Sequence, residues 1–259
     1  MISSMQRRLK TARGEGGELL RQGNGATAYG FAAASLVGIK LPIPVSVCGV
    51  DLFLRPDTTD VAVARQNLDG EFDAAITAAR PLRHDFIIDA GGYIGTAAIT
   101  FAQAFPKATI VTLEPSQENF RLLVKNTRLY KNIVPINCAL AATARTTLIF
   151  DRGNGKWGFT LMDAPRENFT PNPVHAVQTC TVSELLSRFN VSGIDLLKLD
   201  IEGAERELFA HCPNWVACTH VLFAEIHERM FPGCEAAFRE ATTGRTAVAC
   251  KGEKILSIA

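Results

Sequence analysis

The chain lacks an apolar run long enough to cross a bilayer. Its apolar stretch near the start, Ala26 to Ile39, is shorter than the roughly 20 residues that a spanning helix needs, so no membrane span is expected. It also lacks a surplus of charge. Among 259 residues, 27 Lys and Arg stand against 26 Asp and Glu, a balance of +1, whereas a surface that wraps nucleic-acid phosphates carries a large positive excess. Extensive nucleic-acid binding is therefore not expected. Paired cysteines are missing too. Cys48, Cys138, Cys180, Cys212, Cys218, Cys234 and Cys250 are irregularly placed and odd in number, which suits free thiols in a reducing, cytoplasmic compartment. His211, Cys212, Cys218 and His220 lie close in sequence, but without the separated ligand pairs of a structural zinc site. Arg7, Arg8, Lys10 and Arg13 followed by the apolar stretch have the outline of a secretory signal. The basic part is too long for one, and no small-residue cleavage site leads into a disulfide-rich domain.

With no internal repeat and no low-complexity tract, the chain reads as an N-terminal arm and accessory segment over residues 1–80 and a main domain over 81–259. Residues 1 to about 22 are polar and basic, Gly23 and Gly25 follow, and Pro42 and Pro44 stop any helix that continues from the apolar stretch. Val45 to Leu54 alternates like a strand or hairpin. Val61, Ala64, Leu68, Phe72, Ala75 and Ile76 predict a helix between Asp60 and Ala79.

Beyond Pro81, short apolar runs alternate with amphipathic stretches. Strands are expected at Phe86 to Asp89, Ala108 to Glu114, Val134 to Leu140, Ile194 to Asp200 and His220 to Ile226. Helices are expected at Thr96 to Phe105, after a Ser116 cap with Phe120, Leu123, Val124 and Thr127 on one face, after a Thr181/Glu184 capping box, and at Ala204 to His211. Residues from about 142 to 176 look irregular. Such alternation builds an α/β fold, a doubly wound and mostly parallel sheet, because parallel neighbours need crossover connections. Ligands of such sheets sit at the carboxyl ends of the strands.

Chemistry concentrates at three of those ends. Asp89-Ala90-Gly91-Gly92-Tyr93-Ile94-Gly95 links the first strand of the main domain to its helix. A dinucleotide fingerprint needs glycine where Tyr93 stands, and around Gly153-Asn154-Gly155-Lys156 the residues Phe150 and Trp157 occupy places that a phosphate loop gives to Gly and to Ser or Thr. A ligand with an adenosine and no phosphate fits the turn better, and Glu114, which closes the next strand, is placed to accept two ribose hydroxyls. S-adenosylmethionine meets that description. Asp89 and the Gly91 to Gly95 backbone would then face its methionine part, while Asn137 to Leu140, Ala139 included, would border adenine. The second cluster is Lys198-Leu199-Asp200-Ile201-Glu202-Gly203-Ala204-Glu205. Carboxylates at a strand end are costly to desolvate unless they bind something, although Glu205 reads as a first-turn residue favoured by the helix dipole. In the third, Glu225 and His227 share one side of a strand end, and an imidazole near neutral pKa can take a hydroxyl proton. Asp200 or His227 is the expected base, and Glu202 the group that binds acceptor hydroxyls or joins a divalent metal site. Asp200, Glu202 and Glu225 offer hard oxygen ligands, but the sequence requires no metal and none of these residues is assigned to one. Trp157 and Phe159 could stack on an acceptor or pack beneath their loop.

From Phe86 to Asn126, through the glycine turn, Leu113-Glu114-Pro115 and Asn119, and again at 194–205 and Glu225-Ile226-His227, the chain resembles the FkbM family of S-adenosylmethionine-dependent methyltransferases. Upstream, Leu54-Arg55-Pro56-Asp57-Thr58-Thr59-Asp60 is similar to the Arg and Asp turn that precedes the core in that family. The resemblance implies the class I methyltransferase (Rossmann-like) fold with seven strands, one of them antiparallel. It also implies O-methylation of a hydroxyl on a sugar, a glycan or a secondary metabolite, with cofactor roles for Asp89, Gly91, Gly95 and Glu114. Gly92-Tyr93 departs from the family's common Ala-Asn pair, and the short chain after Phe231 leaves little for a lid. A nucleic-acid methyltransferase and a non-catalytic cofactor-binding module are the alternatives.

Overall fold

The computed structural model describes residues 4–22, 25–153, 155–156, 158–163, 171–211, 214–250 and 252–259. The chain opens with α1 (Ser4–Arg21) and α2 (Gly25–Val37), then the hairpin β1 (Ile43–Val47) and β2 (Val50–Leu54). Where one helix was expected there are two, α3 (Asp60–Leu68) and α4 (Asp73–Ala78), because Gly70 turns the backbone between them with φ +84°. The main domain continues with β3 (Phe86–Ala90), α5 (Thr96–Ala104), β4 (Thr109–Leu113), α6 (Gln117–Thr127), β5 (Ile133–Ile136) and β6 (Ala139–Leu140). Next come β7 (Thr146–Asp151), β8 (Phe159–Thr160), β9 (Asn172–Cys180), α7 (Val182–Phe189), β10 (Ile194–Leu199), α8 (Glu205–Ala210) and β11 (Thr219–Glu225). The chain closes with α9 (Cys234–Ala241), β12 (Thr246–Ala249) and β13 (Lys254–Ile258).

Seven strands form one sheet in the order β12-β13-β11-β10-β3-β4-β5. β13 alone runs opposite to the other six strands. Every residue of β3 and β10 is buried, as expected of central parallel strands covered on both faces. One apolar core lies on the side of α3, α4 and α5, and it includes Leu19, Phe31, Leu52 and Phe72 of the first 80 residues. The other lies under α7, α8 and α9. The expected arm is thus a helical hairpin and a β-hairpin packed onto the sheet's own core.

Three further expectations change. The strand foreseen to Leu140 ends at Ile136, and Ala139–Leu140 joins a second, four-stranded sheet of order β6-β9-β7-β8, built largely from the stretch that looked irregular. On α6, Leu123 and Thr127 are buried as expected, but Val124 is exposed and Asn119 and Asn126 are buried in its place. Their amides are satisfied: Asn126 hydrogen-bonds Phe53 and Ile94, and Asn119 hydrogen-bonds Arg55 and the Lys156 carbonyl. After Phe231 the chain supplies a helix and the last two strands of the main sheet.

Candidate active site

The carboxyl edge of β3, β4 and β10 opens onto a cavity of about 380 Å³, within the usual range for small-molecule sites. Gly91, Tyr93, Leu113 and Glu114 form one wall, Ala139, Leu140 and Phe159 a second, and Lys198, Asp200, Glu202 and Glu225 a third. Asp89 and Gly95 do not line it. Asp89 is fully buried behind the wall, where its carboxylate accepts a 2.8 Å hydrogen bond from Thr112 and lies 3.3 Å from the Lys198 ammonium. The β3/β10 register places Lys198 directly beside Asp89. Gly95 caps α5 at φ +90° and packs against Thr127 and Leu123.

Gly91 has φ +86°, and a Cβ there would overlap the carbonyl oxygen of Asp200. Close approach of two backbone segments therefore demands this glycine, a reason distinct from the ligand contact read from sequence. The turn is pinned from both sides. Gly91 and Gly92 N–H donate to the Leu113 carbonyl, and Lys198 Nζ donates to the Gly91 carbonyl at 2.7 Å. Burial would lower the Lys198 pKa, but Asp89 and Asp200 raise it and keep the ammonium charged.

Glu114 is buried and faces the cavity. The N–H groups of Tyr93 and Ser116 each donate to one of its oxygens at 2.8 Å, which fixes the carboxylate plane. Burial pushes its pKa up to about 7 despite those bonds. Tyr93, at φ +50°, also donates its hydroxyl to Asp60. Arg55 grips the same Asp60 through Nε and Nη2 at 2.9 and 3.0 Å and reaches Asn119 at 2.9 Å. The Leu54-to-Asp60 turn is thereby tied to the wall that holds Glu114.

Glu202 and Gly203 both have positive φ, at 56° and 101°, and a Cβ on Gly203 would run into the Phe231 ring. This twist buries the Glu202 carboxylate against Arg152 in a close ion pair, while Thr160 donates to the Glu202 carbonyl at 2.6 Å. Burial and the neighbouring Asp200 push the Glu202 pKa up, while His227 and Arg152 pull it back towards the charged form. His227 is 2 % exposed and lies behind Asp200 and Glu202 rather than on the cavity wall. Its Nδ1 donates to Glu205 at 2.8 Å, and Nε2 is 3.5 Å from Glu202 and 3.9 Å from Asp200. Burial alone would favour the neutral ring, but the Glu205 bond and the surrounding carboxylates push the pKa up to about 9. At neutral pH the ring therefore holds its proton, and the base role expected of it does not fit this setting. Glu205, read as a first-turn residue, does begin α8 but is also the buried partner of His227. Ligand atoms of Asp200, Glu202 and His227 lie within 4.8 Å of one another. Arg152 and the His227 ring already supply positive charge there.

Sequence reasoning missed Lys198, Arg152 and Thr160 as site residues. Lys198 stands near the end of an apolar run just before the acidic motif, and a lysine at such a strand end is a usable signal. Nothing local marks Arg152 or Thr160, which reach Glu202 only through the second sheet. Trp157 and Cys212 lie outside the described residues, and Phe159 lines the cavity.

Counted along the chain, the main sheet has the strand order 6-7-5-4-1-2-3 with the seventh strand reversed, and its cavity opens at the switch point between the first and fourth strands. This is the class I methyltransferase fold. The family model for the FkbM methyltransferase domain matches residues 89–241, and the chain belongs to that family. It is 25% identical over 151 residues to methyltransferase sdnD of Sordaria araneosa, a match covering 48% of this chain and 58% of that protein. Similar solved structures include an S-adenosylmethionine-dependent methyltransferase from Agrobacterium tumefaciens, with TM-score 0.44 and 12% identity over 84% of this chain and 69% of that one. Another is the precorrin-6y C5,15-methyltransferase of Geobacter metallireducens, with TM-score 0.41 and 11% identity over 73% of this chain and 86% of that one.

Proposed function

We propose that the protein transfers the methyl group of S-adenosylmethionine to a hydroxyl oxygen of a sugar, a glycan or another hydroxylated small molecule. The observation that carries this reading is a single cavity that joins Glu114, Gly91 and Ala139 to Asp200. Glu114, already fixed by two backbone N–H groups, is the acceptor for the ribose hydroxyls. Ala139 and Leu140 border the adenine, and Gly91 and Lys198 face the methionine end, where the ammonium complements a carboxylate. Asp89 and Gly95 act from behind the wall by fixing Lys198 and the start of α5.

When bound, the cofactor supplies an electrophilic methyl group on a sulfonium. The chain's task is to orient the acceptor oxygen and exclude water, and orientation alone can lower such a barrier by about 7–11 kcal/mol in the best intramolecular cases. Asp200 lines the cavity with its side chain 34% exposed, so it is the carboxylate within reach of an acceptor hydroxyl and the group that takes its proton. Protonated His227 steadies Asp200 and Glu202. This reading assigns no step to a divalent cation; Glu202 is paired with Arg152 and His227 with Glu205.

Beside the cavity lies a groove of about 1200 Å³ that shares Thr59, Gln66, Glu71, Glu225 and Lys254 with it. Seven carboxylates and four basic side chains line the groove, walls that suit a hydroxyl-rich acceptor and repel a polyanion such as RNA. No helix among the described residues is long and apolar enough to cross a membrane.

The test is incubation with methyl-labelled cofactor and a panel of sugars, glycosides, hydroxylated metabolites and RNA, followed by mass identification of the product. A methyl group on an acceptor oxygen is expected. Calorimetric binding of the cofactor without transfer to any acceptor would favour a non-catalytic module, and no heat from the cofactor or its demethylated product would remove the reading.

A further inference from the structure

The outward face of α2 is apolar where a surface helix normally carries charge. Tyr29, Ala33, Leu36 and Val37 fall at helical spacing and are all exposed, Tyr29 and Val37 by 71% and 70%. The helix contains no charged residue. Ile39 and Leu41 extend the stripe, with Leu41 75% exposed.

α1 runs antiparallel to α2, since Gly16 packs on Ala32 and the Arg8 guanidinium lies against Gly38. The antiparallel pairing places Met5 and Leu9, both exposed, at the end where α2 closes. At this end Arg8 lies against Gly38 and Lys40 follows α2, while Arg7 and Lys10 occupy the same stretch of α1 as Met5 and Leu9. The carboxylate of Asp57 is near them, buried and shared by Arg8 at 3.8 Å and Lys40 at 2.9 Å. The result is an apolar face with a basic collar.

We propose that this face docks on an anionic lipid bilayer, with the apolar side chains entering the headgroup boundary and the collar meeting lipid phosphates. That combination is what holds interfacial helices on membranes. Tyrosine is favoured at that depth, its ring apolar and its hydroxyl wet. A second copy of the chain is a poorer occupant, because a two-fold contact sets the same patch against itself and would bring collar against collar.

Co-sedimentation of the full chain with vesicles of phosphatidylcholine alone, or containing about a third phosphatidylglycerol, tests this. Binding to the anionic vesicles is expected, falling with added salt. Arg7→Gln and Lys10→Gln should each lower the partition coefficient by roughly fivefold. Val37→Glu and Leu41→Glu, at exposed positions, should abolish binding while leaving the thermal midpoint near that of the parent. The proposal is overturned if the protein ignores both vesicle types, binds neutral and anionic vesicles equally, or is shown by light scattering to form a dimer that Val37→Glu dissolves.

Discussion

At Gly91, Glu114 and His227, single atoms decide what the site can do. Gly91→Ala puts a methyl group into the Asp200 carbonyl at a left-handed backbone position. The expected loss is roughly 1–3 kcal/mol of stability, read as a lower urea midpoint, together with loss of cofactor binding. In its proposed role Glu114, with its pKa pushed up by burial to about 7, accepts ribose hydroxyls best when ionised. Cofactor affinity measured by calorimetry should therefore weaken as pH falls below about 7, by at most about tenfold per pH unit, and Glu114→Gln should flatten that dependence. For His227 the ordinary pKa of 6.5 is raised to about 9 in the folded chain. Its contribution to stability is then complete below pH 6.5 and lost as pH rises through about 9. Thermal midpoints should fall across that window in the parent and change less in His227→Gln, which should bind the cofactor nearly unaltered. An equal slope in the two proteins would count against a protonated, Glu205-bound ring.

Helices and strands carry these atoms to their places. Thr181 and Glu184 form a reciprocal capping box at the start of α7, and α7 leads into β10, the strand of Lys198. Thr181→Ala should cost about 1 kcal/mol in urea unfolding without altering cofactor affinity, because the cap lies away from the cavity wall. The capping box, Ser116 and the five strands joined by parallel pairing were legible because each is a local signal: a hydroxyl before a periodic run, or a short apolar stretch between turns. The burial face of α6 was not. Asn119 and Asn126 look like surface residues, and only their partners on Arg55, Phe53 and Ile94 make their burial favourable. The second sheet escaped for a similar reason, since β7, β8 and β9 gain their regularity from pairing with one another.

For the molecule as a whole, the first 80 residues are structural partners of the sheet. Phe31 of α2 is fully buried in the same core as Phe101 and Phe223. Phe31→Ala should cost about 3–5 kcal/mol in denaturant unfolding, whereas a loose arm would show almost no change. The same packing brings Asp60 to Tyr93, so the accessory segment also braces the wall that holds Glu114.

By itself the sequence determined the alternation of strands and helices, the glycine turn and the three acidic strand ends, because apolar periodicity and turn chemistry are properties of neighbouring residues. Only the tertiary structure decided which side chains face the cavity and which stand behind it. Asp89, Gly95 and His227 moved behind the wall, and Lys198, Arg152 and Thr160 joined the site. Burial, charge pairing and protonation are set by atoms that lie far apart along the chain and meet only when the sheet is assembled.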